Sequence, residues 1–378
     1  EQLDVVARRA RGLEEGLGYP QVNVIERDRE ANLWIGTQHG LTLFTGSEFA
    51  TYTPGSSAPE QNVWAIQSTP GGLLWLGTDA GLFGLEQLPD DASRVRHHLT
   101  GGDGLGHSTV MALLPAGDGS LWAATRGGLS YVGPGRETIF NLGVEHGLPG
   151  VELRSLARGP DGRLWIGLRE NGAVVYTPPE GGVPTEDAPG RFERVPFDGA
   201  GARAKVSVYA LLWDSRGRLW AGTEGHGLAR WVGGGSGPGR FETLEASGLK
   251  HPNVNDIVEG PDGALWLGCD NGGLYRFDGG RFEDVAKGRA VSLENVYLVA
   301  ATADGAILVG TNRGLYRYEP HVDSFLHYGR TEGFTGLETN VHARHRDHRE
   351  RMWIGSITGA VLYKPATNAA DPVPPSVS

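Results

Sequence analysis

The stretch Val254 to Val285, VNDIVEGPDGALWLGCDNGGLYRFDGGRFEDV, holds one complete structural unit. Val254 to Glu259 reads as a first strand and Pro261-Asp262-Gly263 as a tight turn. Leu265 to Cys269 reads as a second strand, Gly273 to Asp278 as a third and Arg281 to Val285 as a fourth. Asp-Gly between two apolar runs is the strongest short hairpin signal, and a type I′ turn there needs φ > 0 at both central residues. Outward from this unit its second strand recurs in both directions: LWIGT (Leu33 to Thr37), LWLGT (Leu74 to Thr78), LWAAT (Leu121 to Thr125), LWIGL (Leu164 to Leu168), LWAGT (Leu219 to Thr223), ILVGT (Ile307 to Thr311) and MWIGS (Met352 to Ser356). Copies start 41 to 55 residues apart, the period of one supersecondary unit and too short for a domain. Asp-Gly turns recur at Asp118-Gly119, Asp161-Gly162 and Asp304-Gly305, and no segment sustains a 3.6-residue apolar period. Short strands with a turn every eight to twelve residues mean a sandwich, barrel or propeller, and four strands per repeat select the propeller.

Tryptophan explains why such units need one another. Trp34, Trp75, Trp122, Trp165, Trp220, Trp266 and Trp353 share one repeat position, with Leu308 in the remaining copy. A lone four-stranded sheet cannot bury so large a side chain on both faces, whereas a neighbouring blade covers it. The expected role is therefore core packing.

Composition narrows the class. The 378 residues carry 34 basic and 45 acidic side chains, a net charge of −11, which argues against a nucleic-acid surface. The 60 glycines fall mostly at fixed repeat positions where turns need them. The one cysteine, Cys269, excludes an internal disulfide and a cysteine-cluster metal site, and it stands where other copies have Thr. No apolar run is long enough to span a membrane and Glu1 opens no signal peptide, so contact with a membrane is expected only through segments beyond this sequence.

The last copy lacks a fourth strand, because after Gly359 to Lys364 comes PATNAADPVPPSVS, Pro365 to Ser378. Leu3 to Ala7 (LDVVA) resembles outer strands such as RFERV at Arg191 to Val195. The expectation is an all-β propeller of eight four-stranded antiparallel blades over residues 1–364, closed by that N-terminal strand against Gly359 to Lys364, with 365–378 a proline-rich linker to a following domain. Pro178 to Gly190 and Gly233 to Gly239 read as surface connections.

The unit resembles the two-component regulator propeller repeat. Copy one matches its pattern from Val22 and Ile25 through Asp28 and LWIGT to Gly40-Leu41, Phe49 and Tyr52. Copies seven and eight add the linking loop, with Tyr328, Glu332-Gly333-Phe334, Asn340 and Val341, while LWAAT lacks the glycine and ILVGT the tryptophan. The resemblance implies an extracytoplasmic, periplasmic sensing domain followed by a second β-domain, a membrane helix and a histidine kinase or diguanylate cyclase. It also implies an alternative blade count, since propellers of the family are commonly seven-bladed.

Catalytic signatures are absent: there is no HExxH, GxSxG or P-loop, so neither catalytic residues nor a cofactor are expected. His342, His345 and His348 beside Asp347 invite a metal reading, but strand alternation points His345 away from the other two, and no metal is expected. The informative position directly follows the aliphatic residue that opens each first strand: Asn23, Trp64, Met111, Arg154, Tyr209, Asn255, Tyr297 and His342. It varies within a constant frame and lies where innermost strands begin, at the channel mouth. Aromatic, amide and cationic groups of this kind bind sugars or peptides; the alternative is a wet position that tolerates anything.

The leading expectation is a non-catalytic sensor for a small ligand, an oligosaccharide or peptide, with a homodimer possible in the full-length protein. A passive interaction or adhesion scaffold is the second reading. A polysaccharide-acting enzyme using Glu152 and Asp256 as a carboxylate pair is the third.

Overall fold

The computed structural model describes residues 22–27, 33–37, 40–44, 49–52, 62–87 except 71, 93–198, and 205–364 except 234–238, 245–248, 250, 290, 331, 335 and 337. Strands β1 (Val22–Arg27), β2 (Leu33–Thr37) and β3 (Gly40–Phe44) form a three-stranded antiparallel sheet of their own. Seven four-stranded antiparallel sheets follow, and they form one ring. Their innermost strands are Val63–Ser68, Val110–Pro115, Leu153–Arg158, Ser207–Trp213, Val254–Glu259, Val296–Ala301 and Thr339–Arg346, in blades one to seven. Each packs beside the next, and the seventh returns to the first.

The ring therefore has seven blades and not the expected eight, in agreement with the alternative count. Closure also differs. The third strand of blade seven, Gly359–Tyr363, pairs with β4 (Phe49–Tyr52), placing Tyr363 opposite Phe49 and Ala360 opposite Tyr52. Leu3 to Ala7, expected to fill that place, lies outside the described residues, as does Pro365 to Ser378. The physical reason is aromatic: Phe49 lies with its ring 5.1 Å from Tyr328, 5.3 Å from Phe334 and 5.3 Å from Tyr363. Burying such a cluster repays the loop needed to bring the strand there.

One apolar cluster sits at each of the seven blade interfaces. Trp75, Trp122, Trp165, Trp220, Trp266 and Trp353 are each buried, and each lies against the following blade. Leu308 does the same between blades six and seven. Trp353 joins blade seven to Val63, Ile66 and Leu76 of blade one, so the tryptophan code closes on itself.

Motif residues around the tryptophan have local duties. The threonine that ends the second strand donates its hydroxyl across the next turn, as Thr78 to the Gly81 carbonyl at 2.9 Å and Thr223 to Gly227 at 2.7 Å. A Cβ on Gly355 would lie 2.3 Å from the Val63 carbonyl oxygen, because the inner strand of blade one passes there. In blades three to six the first hairpin turn has positive φ only at its glycine, as at Gly263 (75°), and Gly263 N–H donates to the Gly260 carbonyl at 2.9 Å. The turn is thus built with Pro261 and Asp262 in ordinary backbone regions, not as the type I′ pair expected. Blade seven places Glu350 there, at φ 61°.

Candidate functional site

The variable position has a structural cause that the sequence hides. In blades one to six the inner strand carries one residue too many against its neighbour: in blade one Val63 faces Thr78 and Ala65 faces Gly77, so Trp64 is extruded as a β-bulge. The same shift extrudes Met111, Arg154, Tyr209, Asn255 and Tyr297. In blade seven the shift is wider, between Thr339 and Arg344, and takes in His342. A bulge bends the strand and re-aims a side chain, and repeated round the ring it sets these residues where the inner strands begin. Asn23 is extruded likewise, but from β1, which is not part of the ring.

The seven are not equivalent. Trp64 is half-buried and its indole N–H donates to Asp79 Oδ1 at 2.8 Å, while Asn62 Nδ2 donates to Oδ2 at 2.8 Å. The Arg154 guanidinium lies 5.9 Å from the centre of the Tyr209 ring, and burial lowers its pKa. Burial, followed by the Glu224 carboxylate, raises the Tyr209 phenol; burial, followed by Glu338 and Asp270, raises Tyr297. Met111 and Asn255 are buried, and the Asn255 amide donates to the Val296 carbonyl of the next blade at 3.1 Å. Asn255 therefore spends a donor between blades. Asn340 makes the corresponding bond to the Val63 carbonyl at 3.0 Å.

Sequence reasoning missed a second ring. In blades two, three, five and seven the residue after the second strand is tied to the start of the inner strand: Arg126 N–H to the Thr109 carbonyl, Arg169 to Glu152, Asp270 to Asn253 and Ile357 to Glu338. Its charges segregate: Arg126 and Arg169 flank Arg154 on blades two and three, while Glu224 and Asp270 lie on blades four and five. The signal was available, since the residue after the motif threonine is charged in most copies.

A buried charge cluster lies one step further along the strands. Asp256 is fully buried and accepts from its neighbour Ile257 N–H at 2.8 Å and from Val299 N–H of blade six at 2.9 Å. From blade seven, His342 Nδ1 lies 2.6 Å from Oδ1 and the Arg344 guanidinium pairs with Oδ2. Burial would raise this carboxyl, but Arg344 and His342 outweigh it and hold it at about 2. Arg344 Nη2 also donates to the Ile257 carbonyl at 2.9 Å. His342 adopts φ 61°, and its Nε2 is buried without a partner. Strain together with an orphaned polar atom marks the residue for a role beyond packing.

The other expected chemistry is dispersed. His345 turns to blade one, where Ser68 Oγ lies 2.7 Å from its Nε2, and burial pushes its pKa down to about 4. His348 is exposed. Among the described residues no three His, Cys, Asp or Glu side chains converge as metal ligands. Glu152 pairs at the rim with Arg169 at 3.3 Å, in surroundings unlike those of buried Asp256.

A seven-bladed propeller with a polar, asymmetric mouth is the class of protein that fold and site define. The pattern of the two-component regulator propeller matches two stretches of the chain, residues 204–225 and 248–271. Among solved structures, it is similar to the extracellular domain of a putative hybrid two-component system from B. thetaiotaomicron, with 21% identity and a TM-score of 0.71 over 95% of this chain and 47% of that one. A second such extracellular domain from the same organism gives 20% identity and a TM-score of 0.65 over 84% of this chain and 40% of the other. The chain thus spans less than half the length of either. A catalytically inactive virginiamycin B lyase from Staphylococcus aureus, solved with quinupristin, gives 14% identity and a TM-score of 0.59 over 83% of this chain and 98% of the lyase. No curated protein matches the sequence. Among the described residues no helix is long and apolar enough to cross a membrane.

Proposed function

We propose that this chain is an extracytoplasmic, non-catalytic sensor module of a signalling protein, and that its ligand, an oligosaccharide or short peptide, sits on the ring of bulged residues. The observation that carries this reading is the bulge itself. A register shift recurs at the start of all seven inner strands, wider in blade seven, and we read it as the device that turns the variable residues toward the mouth. Trp64, Tyr209 and Tyr297 offer flat apolar faces, and Arg154 a cationic fork with hydrogen-bonding geometry for carboxylate or vicinal hydroxyls. Occupancy changes the signal only if the ligand binds two arrangements of the full-length protein unequally, so a partner domain and a homodimer belong to the same proposal. The similarity to extracellular domains of two-component systems supports the location.

The test is a titration of an oligosaccharide and peptide panel against the parent, Trp64→Ala, Arg154→Ala and Tyr297→Ala. Each truncation should weaken binding by about 1–3 kcal/mol with melting unchanged. Parental affinity in all three variants would remove the mouth as the site. One observation keeps an enzyme in view: His342, held by Asp256, has an unused Nε2. Turnover of any panel member, abolished in His342→Ala, would favour that second reading.

A further inference from the structure

The end of the ring opposite the bulges holds a cavity of about 730 Å³. Its walls come mainly from the closing residues of three successive inner strands and the turns that follow them, with Ser215 of blade four and Met352 of blade seven completing them. At one register position, opposite the residue that precedes the interface tryptophan (or Leu308) in each second strand, blades one to seven carry Ser68, Pro115, Arg158, Trp213, Glu259, Ala301 and Arg346. Blades five, six and seven thus read acid, small, base. Ala301, with Ala300 and Ala303 beside it, leaves space that a larger residue would fill, and the space lies between Glu259 and Arg346.

Both charged groups have capacity to spare. Glu259 accepts from Ser215 N–H at 2.7 Å and Ser215 Oγ at 2.6 Å, which fixes the carboxylate and leaves lone pairs open. Arg346 is paired with Glu350 at 3.3 Å with its side chain 48% exposed, a contact that a ligand carboxylate displaces at little cost. The neighbouring guanidinium in the wall, Arg344, is committed to Asp256 and the Ile257 carbonyl. A cavity of this volume takes a small ligand, and an anion on one wall facing a cation on the other selects for the ligand's charges.

We propose that this cavity is a second binding site, for a small zwitterion of tripeptide size. Its amino end is held by Glu259 and its carboxyl end by Arg346, with the alanine wall of blade six against its body. The site is separate from the bulged mouth and does not depend on that reading.

The experiment is calorimetric titration of trialanine, N-acetyl-trialanine and trialanine amide into the parent chain, Arg346→Gln, Glu259→Gln and Trp64→Ala. Trialanine should bind the parent, and each capped form should bind at least tenfold more weakly. Arg346→Gln should remove the penalty for amidation and Glu259→Gln the penalty for acetylation, while Trp64→Ala binds as the parent does. Unchanged melting of the two glutamine variants controls for folding, and Ala301→Leu, which fills the space, should also abolish binding. Absence of trialanine binding at millimolar concentration, equal binding of the capped peptides, or loss in Trp64→Ala with retention in Arg346→Gln would overturn the proposal.

Discussion

The first and last copies of the repeat use nearly the same words, LWIGT and MWIGS, and reach different ends. In the last copy the strand is buried throughout, with Trp353 seated against blade one. The first copy forms its first hairpin in the register of blades one to six and its second in that of the last copy, yet β1–β3 pair only with one another among the described residues. Val22, Val24 and Ile25 of β1 are 40%, 50% and 60% exposed, whereas their counterparts Val63, Ala65 and Ile66 in blade one are 0%, 5% and 4%. The motif thus encodes a blade's hairpins, and a place in the ring depends on having a neighbour on each face. Among the described residues of copy one, only β4 joins the ring, and it does so in blade seven.

The strongest test of this contrast is Trp353→Ala, which empties the closing interface and should cost about 3–5 kcal/mol by denaturant unfolding. Loss of less than about 1 kcal/mol would mean that closure rests on β4 alone. Next is the charge cluster that ties blade seven to blade five across blade six. Asp256→Ala leaves Arg344 buried without its carboxylate and should cost about 3–5 kcal/mol, whereas Asp256→Ala with Arg344→Ile restores the small and aliphatic residues of blade one and should recover most of it. A double variant as unstable as the single would show that the pair is not coupled. The Asp256 carboxyl lies below its unfolded value of about 3.9, so its contribution is complete above that pH and disappears as pH falls towards 2. Acid unfolding of the double variant should accordingly be shallower over that interval.

Two smaller effects sharpen the comparison. Glu350→Gly supplies the residue that the other blades use at the positive-φ turn and should stabilise by about 0.5–1 kcal/mol, read as a rise in Tm. Ile25→Ser, on the exposed strand of copy one, should stay within about 0.5 kcal/mol. Its counterpart Ile66→Ser should be several times more damaging, and equal effects would place β1 in a packed interface.

Much of this architecture was legible. The sixth copy's first two strands fall at Val254–Glu259 and Leu265–Cys269 as read, because alternation and turn residues are local properties. Interface tryptophans were legible for the same reason. Closure was not, since LDVVA and FATY both read as outer strands, and the choice between them is made by Tyr328, Phe334 and Tyr363, hundreds of residues away. At the mouth, the variable position was visible as variation, while the bulge that makes it a ring is a matter of register. Asp256 and Arg344 stood in plain view as departures, a carboxylate where other copies have mostly small residues and a guanidinium where they have aliphatic ones. Only the structure pairs them, because they sit two blades apart.

The borrowed strand also sets an order of events during synthesis. Phe49 leaves the ribosome long before Tyr363, and at roughly 5–20 residues per second the wait for its partner lasts on the order of half a minute. Until then neither the strand nor the open arc of finished blades has its final neighbour, and both present unpaired edges of the kind that recruit other chains. Completion of the circle therefore waits for the last strands of blade seven, and whatever accompanies the nascent chain must shield β4 until Tyr363 has emerged.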